Sequence, residues 1–205
     1  MSPVTLRPRF NPNATGESAD PAPGELPFEV DPRQMSLFAA AWTLGSVSRL
    51  ASAGVQSATY YEPTGLRGVM DASTLADVPR DFARVAGGVY PAYHVLRDVC
   101  SFAGGHVLRS DVSDPLEIAA LALESEARRG AWVANLSASE REVRVTGLAA
   151  GGYDMKSLDI ATAEQSMREP EAYRRDAIKL HVGETPPTLR LGAYGIAWIG
   201  TCAVG

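Results

Sequence analysis

Cysteine is scarce. The 205-residue chain holds two, Cys100 and Cys202, too few for a disulfide framework. They read as reduced, partly buried thiols of a cytoplasmic protein. No apolar run is long enough to cross a bilayer, and the opening MSPVTLRPRF lacks the apolar stretch of a signal peptide. A basic excess is also missing. The formal net charge is -5, and the arginines and lysines are scattered, so neither nucleic acid nor an anionic membrane is an expected partner. No His, Cys, Asp and Glu residues stand at metal-ligand spacing. There is no P-loop, no dinucleotide fingerprint and no G-x-S-x-G elbow, so neither a metal nor a cofactor is expected. Asn13-Ala14-Thr15 and Asn135-Leu136-Ser137 match the glycosylation pattern, which carries no meaning without secretion.

What is present is ordinary globular material: 45% hydrophobic and 21% charged residues, enough to bury a core. The first thirty or so residues begin strand-like and become a loop rich in Pro, Gly and Asn. A loop of that length in a compact protein is functional or disordered. A helix follows over 32–53. Asp31 is its expected cap, Pro32 its first residue, Gln34 the amide of a capping box and Gly54 its stop. After a tight connection, residues 57–61 read as a strand that ends on Glu62, then Pro63 and Gly65 turn the chain. A second loop leads to a helix from Pro91 to about Phe102, with Tyr93, Leu96 and Cys100 on one face. Ala103, Gly104 and Gly105 close it.

Beyond Gly105 the period changes from helical to two. Trp132, Ala134 and Leu136 share one side of a strand; Val143 and Val145 face inward on another; Ile178, Leu180 and Val182 do so on a third. Leu189 and Leu191 lie on one parity and Ile196 and Trp198 on the other, which a bulge near Gly192 or Gly195 would explain. Short alternating strands separated by turns indicate a β-sandwich. Residues 114–130 look helical by local rules, with Asp114 as cap, Pro115 in the first turn and Gly130 as stop. The surrounding all-β pattern favours a strand over 116–124 instead.

Two sets of strings carry a family resemblance. The first is SPVTLRPRFNPNATG with the stretch that runs from DPRQMSLF to YYEPTGLRGVM; the second is VANLSASEREVRVTGL with LRLGAYGIAWI. Together they resemble the C-terminal part of D-apionate lactonase (apionolactonase) proteins. The resemblance implies an α/β remnant of a (β/α)8 barrel, its last two strands and helices, over 1–103, followed by an all-β sandwich domain over 104–205. Pro3–Leu6 and 57–61 would be the two barrel strands. Most of a barrel, which needs eight strands, is missing from this sequence, so the resemblance implies a fragment that is inactive alone. Its expected partners are a sugar-acid lactone and either the missing barrel part or further copies of itself.

Active sites of such barrels lie at the C-terminal ends of the strands. Glu62 stands there as the candidate catalytic carboxylate. Arg7, Arg9 and Asn11 emerge from the neighbouring strand as candidate substrate-binding groups, with Asn13 beside them and Arg67 as a further candidate. Tyr60 and Tyr61 point to opposite sides of an extended strand, so one of the two would line the pocket. The bland alternatives are a strand-end charge paired to a nearby arginine for Glu62, solvated loop charges for the arginines, and turn formation for the asparagines. His94, mid-helix, reads as a satisfied structural histidine. Trp42, Trp132 and Trp198 read as core aromatics. Two further functions stay open: a glycoside-hydrolase-like enzyme using Glu62 as one of two carboxylates, and a non-catalytic β-sandwich binding module.

Overall fold

The structure, a computed structural model, describes residues 3–8, 21–72, 79, 82 and 84–201. Cys202, Arg9, Asn11 and Asn13 lie outside them. The first long element is helix α1, Leu37–Ser52, whose Ala- and Leu-rich sequence favours the helix. It starts later than expected. Ser36, not Asp31, is the cap, its hydroxyl accepting from the Ala39 N–H. The Asp31 carboxylate is taken up by Arg33, accepting its backbone N–H at 2.9 Å and its guanidinium at 2.9 and 2.8 Å. Gly54 ends the helix in the left-handed region, φ 74°, where a side chain would be strained.

Neither Pro3–Leu6 nor residues 57–61 form a regular strand, contrary to expectation. One ladder-like bond, Val4 N–H to the Thr59 carbonyl at 2.8 Å, ties the two segments together. The regular strands are β1, Glu62–Thr64, and β2, Gly68–Met70, which pair in parallel with Glu62 opposite Gly68. Glu62 therefore begins a strand rather than following one. Helix α2, Pro91–Cys100, matches its expected position, with Pro91 in the first turn and Gly104 at φ 78° just beyond. Cys100 is exposed, not partly buried.

The second half is antiparallel. Strands β3 (His106–Leu108), β4 (Ile118–Ser125), β5 (Arg128–Asn135), β6 (Arg141–Arg144) and β7 (Gly151–Leu158) precede helices α3 (Ala163–Arg168) and α4 (Pro170–Arg175). Strands β8 (Ile178–Val182), β9 (Thr188–Leu191) and β10 (Ile196–Gly200) complete it. The large sheet has the order β3-β4-β5-β10-β7-β8, and β6 pairs with β9 as a small second sheet. Strand β4 bears out the β reading from Ile118 on, while Leu116 and Glu117 belong to the preceding turn. The helix-like cues at Asp114 make a single turn, with the Ile118 N–H on the Asp114 carbonyl at 2.9 Å. The phase change after Leu191 is a change of sheet rather than a bulge: β9 pairs with β6, and β10 with β5 and β7.

Alternation distributes the core. Leu121, Leu123, Trp132, Ala134, Leu158 and Ile196 meet α1 and α2 on one face of the large sheet. Ile118, Val133, Ala197 and Ile199 meet Leu189 and Leu191 of the small sheet on the other. Ile178 departs from its expected inward placement and is exposed. Near one end Gly200 pairs with Gly130, and the Trp198 ring lies over both. A methyl on Gly200 would collide with that ring and sit 2.9 Å from the Arg129 carbonyl. Gly200→Ala is expected to cost about 2 kcal/mol of stability, read as a lower midpoint in urea unfolding; an unchanged midpoint would mean the ring moves aside freely.

Candidate functional site

The short parallel pair places the carboxylate. After β1 the chain loops through Gly65, at φ 89°, to run alongside itself in the same direction, and must approach itself closely: a Cβ on Gly68 would lie 2.5 Å from the Thr64 carbonyl carbon. Glycine is required there. The Glu62 N–H donates to the Arg67 carbonyl at 3.1 Å. The buried Gln34 donates its side-chain amide to the Gly68 carbonyl at 3.0 Å, fixing the loop to the segment before α1. The outcome is an ion pair, Arg67 Nε to Glu62 Oε1 at 3.1 Å, with side chains 45% and 42% exposed. A carboxylate and a guanidinium thus share one solvent-accessible spot. The strand-end ion pair and the catalytic reading both contain this geometry.

The tyrosines differ from expectation. Both hydroxyls reach α1, Tyr61 to the Thr43 hydroxyl at 2.9 Å and Tyr60 to the Ser46 hydroxyl at 3.0 Å. Neighbours on an extended strand would diverge. The irregular backbone lets both anchor the segment, with ring centroids 6.1 Å apart. Burial raises the Tyr60 phenol above its ordinary value.

Arg7 reaches Asp31, Nε to Oδ2 at 3.9 Å, and donates to the Phe28 carbonyl at 3.3 Å. Asp31 is a site carboxylate that sequence reasoning assigned to helix capping. It is buried between two arginines. Hydrogen bonds from Arg33 hold its carboxyl below the ordinary value, against the upward push of burial. The signal was available as Asp31-x-Arg33, two residues apart in a Pro-containing turn. A second missed carboxylate, Asp71, lies just after β2. It is buried, accepts the Gly87 N–H at 2.8 Å and pairs with Arg84 at 3.4 Å. The nearby Tyr90 phenol is buried and raised to about 12, first by burial and then by the Asp71 charge.

Contrary to the expectation of a satisfied structural histidine, His94 is buried with only one of its two ring nitrogens satisfied: the buried Nδ1 has no hydrogen-bond partner among the described residues. It is 3% exposed and donates from Nε2 to the Ser166 carbonyl at 2.9 Å, since a carbonyl can only accept. Its ring meets Tyr173 edge-on at 4.7 Å. Trp132 is buried, and Trp198 is half-buried beneath Lys156, whose Nζ lies 4.6 Å from the ring centroid. Trp42 departs from expectation: it is half-buried and lines a groove beside α1. Among the described residues, no group of three or more His, Cys, Asp or Glu could hold a metal. None of their helices is long and apolar enough to cross a membrane.

A family model described as "D-apionate lactonase, TIM barrel domain" matches residues 1–104. A second, "D-apionate lactonase, C-terminal immunoglobulin-like domain", matches 115–199. No curated protein sequence matches the chain. Among solved structures, a glycoside hydrolase family 30 endoxylanase from Clostridium papyrosolvens aligns with TM-score 0.51 and 11% identity, covering 82% of this chain and 38% of that one. A family 30 subfamily 8 xylanase from Clostridium acetobutylicum gives 0.55 and 9%, covering 81% and 39%. A monomeric beta-xylosidase from Caulobacter crescentus gives 0.52 and 16%, covering 85% and 43%. At these identities the likeness establishes the fold. The chain spans less than half the length of each of these structures.

Proposed function

We propose, from the premise that the chain belongs to the D-apionate lactonase family, that it carries one wall of a lactone-hydrolysing site and the accessory sandwich. The substrate class is a branched sugar-acid lactone, D-apionolactone opening to D-apionate. The observation that carries this reading is the half-exposed Glu62–Arg67 pair at 3.1 Å, seated at the end of a segment clamped to α1 by two phenols.

The chemistry needs little more than these two groups and water. The Glu62 carboxylate takes a proton from a water molecule as its oxygen adds to the lactone carbonyl. Charge collects on the former carbonyl oxygen, where the Arg67 guanidinium stabilises it. The tetrahedral species then collapses with cleavage of the ring C–O bond. The released alkoxide recovers the proton from Glu62, the new carboxylic acid loses its remaining proton to solvent, and the resulting carboxylate can rest on Arg67 in a two-point contact. Arg7, Arg9 and Asn11 remain candidates for binding the sugar hydroxyls, with Tyr60 and Tyr61 as positioning residues. The other walls belong to the remaining barrel units, so this chain alone is proposed to be inactive.

The test uses an intact family member and this chain side by side. Replacing the residue that matches Glu62 by Gln in the intact protein is expected to lower lactone-opening turnover by about a hundredfold or more. Normal turnover would remove Glu62 from the site. The chain alone is expected to open no lactone above the buffer rate. Cleavage of an aryl β-xyloside by the intact protein, with no lactone opening, would replace this reading by the glycosidase one.

A further inference from the structure

We infer that Met167, on the helical insert of the sandwich, is a positioning residue for Arg67: it supports, from the other part of the molecule, the strand that follows the guanidinium. This rests on the proposed reading of Glu62 and Arg67 as the reacting pair.

Strands β1 and β2 are three residues long each, too short for the pair to hold its shape alone. Residues 88–90 supply a third line beside them. Met70 faces Val89 in an antiparallel bridge. The Asp71 N–H donates to the Gly88 carbonyl and the Tyr90 N–H to the Val69 carbonyl, both at 2.8 Å. In such a pairing, neighbouring residues turn their backbone groups to opposite sides. Gly88 and Tyr90 address β2, so the Val89 N–H points away from it. Val89 is buried, and a buried N–H needs a partner. The Met167 carbonyl accepts it at 2.9 Å. The layers therefore run from Glu62 and Thr64, through Gly68 and Met70, to Val89, and end on Met167.

The Met167 side chain makes a second tie. It is buried in one cluster with Val30, Met35, Phe82 and Tyr90, and Leu66, the neighbour of Arg67, packs against that cluster. One residue thus holds the backbone beside β2 through its carbonyl and helps fill the core on which the loop before β2 rests. The approach is close. A Cβ on Gly88 would lie 2.7 Å from the Met167 carbonyl oxygen, so the contact requires glycine at 88. The insert is itself fixed to α2: His94 Nε2 donates to the Ser166 carbonyl at 2.9 Å, and Arg174 meets Asp98 at 2.7 Å. Val89 belongs to the barrel part and Met167 to the sandwich, so the accessory domain reaches the strand that supports the site. A guanidinium that stabilises developing charge has to be held in place, because a misplacement of about 1 Å can cost about a hundredfold in rate.

Amide hydrogen exchange in this chain tests the support, and kcat and KM of an intact family member give a second readout. Met167→Ala removes the side chain, and Gly88→Ala drives the carbonyl away. Each is expected to speed exchange of the Tyr90 and Glu62 amides at least about tenfold. Gly200→Ala, a destabilising change outside this contact, is expected to leave both amides as in the wild type. In the intact protein, the substitution matching Met167→Ala is expected to lower kcat at least about tenfold with KM unchanged, and the one matching Gly200→Ala to keep kcat. Unchanged exchange in both Met167→Ala and Gly88→Ala overturns the inference. Equal acceleration by Gly200→Ala also overturns it, since the loosening would then be general, and so does a normal kcat in the matched Met167→Ala variant. Normal turnover after replacing the matching Glu62 by Gln would remove the catalytic reading alone, because exchange reads the support without any catalysis.

Discussion

Asn135→Ala is expected to cost about 2–3 kcal/mol, because the buried Leu191 carbonyl and a set of half-buried groups lose the amide that joins them, and each buried group left without a partner costs about 1–3 kcal/mol. Asn135 is fully buried. Its amide nitrogen donates to the carbonyls of Ser139 at 2.6 Å, Leu191 at 3.1 Å and Gly192 at 2.8 Å. Its amide oxygen accepts the Ser137 N–H at 2.9 Å and the Ser137 hydroxyl at 2.8 Å. The side chain joins the end of β5 to the turn where the chain passes from the small sheet to the large one. Alanine has nothing to offer these groups, and the buried Leu191 carbonyl is the one left furthest from solvent. Urea unfolding gives the measurement. A loss below about 1 kcal/mol would mean that solvent reaches the turn and replaces the amide. The same burial settles the meaning of Asn135-Leu136-Ser137: in the folded protein that amide is not available to a glycosylating enzyme.

Acid should weaken the contact between α2 and the helical insert of the sandwich. The His94 imidazole is lowered from 6.5 to about 4, chiefly by burial, then by the charges of Lys156 and Arg97, with the Ser166 carbonyl acting the other way. The unfolded state therefore binds a proton at higher pH than the folded state. The stability that comes from keeping the ring neutral is complete above pH 6.5 and is lost as pH falls towards 4, up to about 3 kcal/mol. Asp98, one turn along the helix, faces Arg174 at 2.7 Å and Lys156 at 3.6 Å. Burial raises its carboxyl, so Asp98 gains stability on protonation and opposes the histidine at the acid end. His94→Gln separates the two. Glutamine can donate to the Ser166 carbonyl but does not titrate, so the variant should show a much flatter stability profile between pH 7 and 4. Parallel profiles for the two proteins would refute the assignment.

Sequence pattern carried the sandwich because alternation there matches burial directly. Trp132 and Ala134 face α1, Val133 faces the small sheet, and no local feature contradicts this. Strand β4 was legible only from its surroundings. Local cues for a helix at Asp114 were satisfied by one turn before Ile118, after which pairing with β5 over eight positions prevailed. Side-chain competition was not legible. Asp31 could cap a helix or bind Arg33, and two guanidinium bonds with a backbone bond outweigh one cap. The strand-like 57–61 lacked what makes a barrel strand regular, a partner with continuous pairing; it keeps one such bond. Helices α3 and α4, six residues each, are too short for periodicity to register. Their signs were Pro170 in a first turn and the Asp159–Thr162 turn, whose N–H bond is 3.1 Å. For the site, the carboxylate and its neighbouring Arg67 were visible in the sequence, but the Asp31 cluster depends on the fold bringing Arg7 across more than twenty residues.

The borders of the sheets say how the protein can grow. One side of the large sheet ends in β3, three residues long, and the other in β8, where Lys179 and His181 stand exposed. The small sheet carries Glu142, Arg144 and Arg190 along its two strands. Short or charged margins discourage the addition of foreign strands. Strand addition is thereby disfavoured along both margins, where the exposed Ile178 of β8 stands as an apolar side chain among charged neighbours.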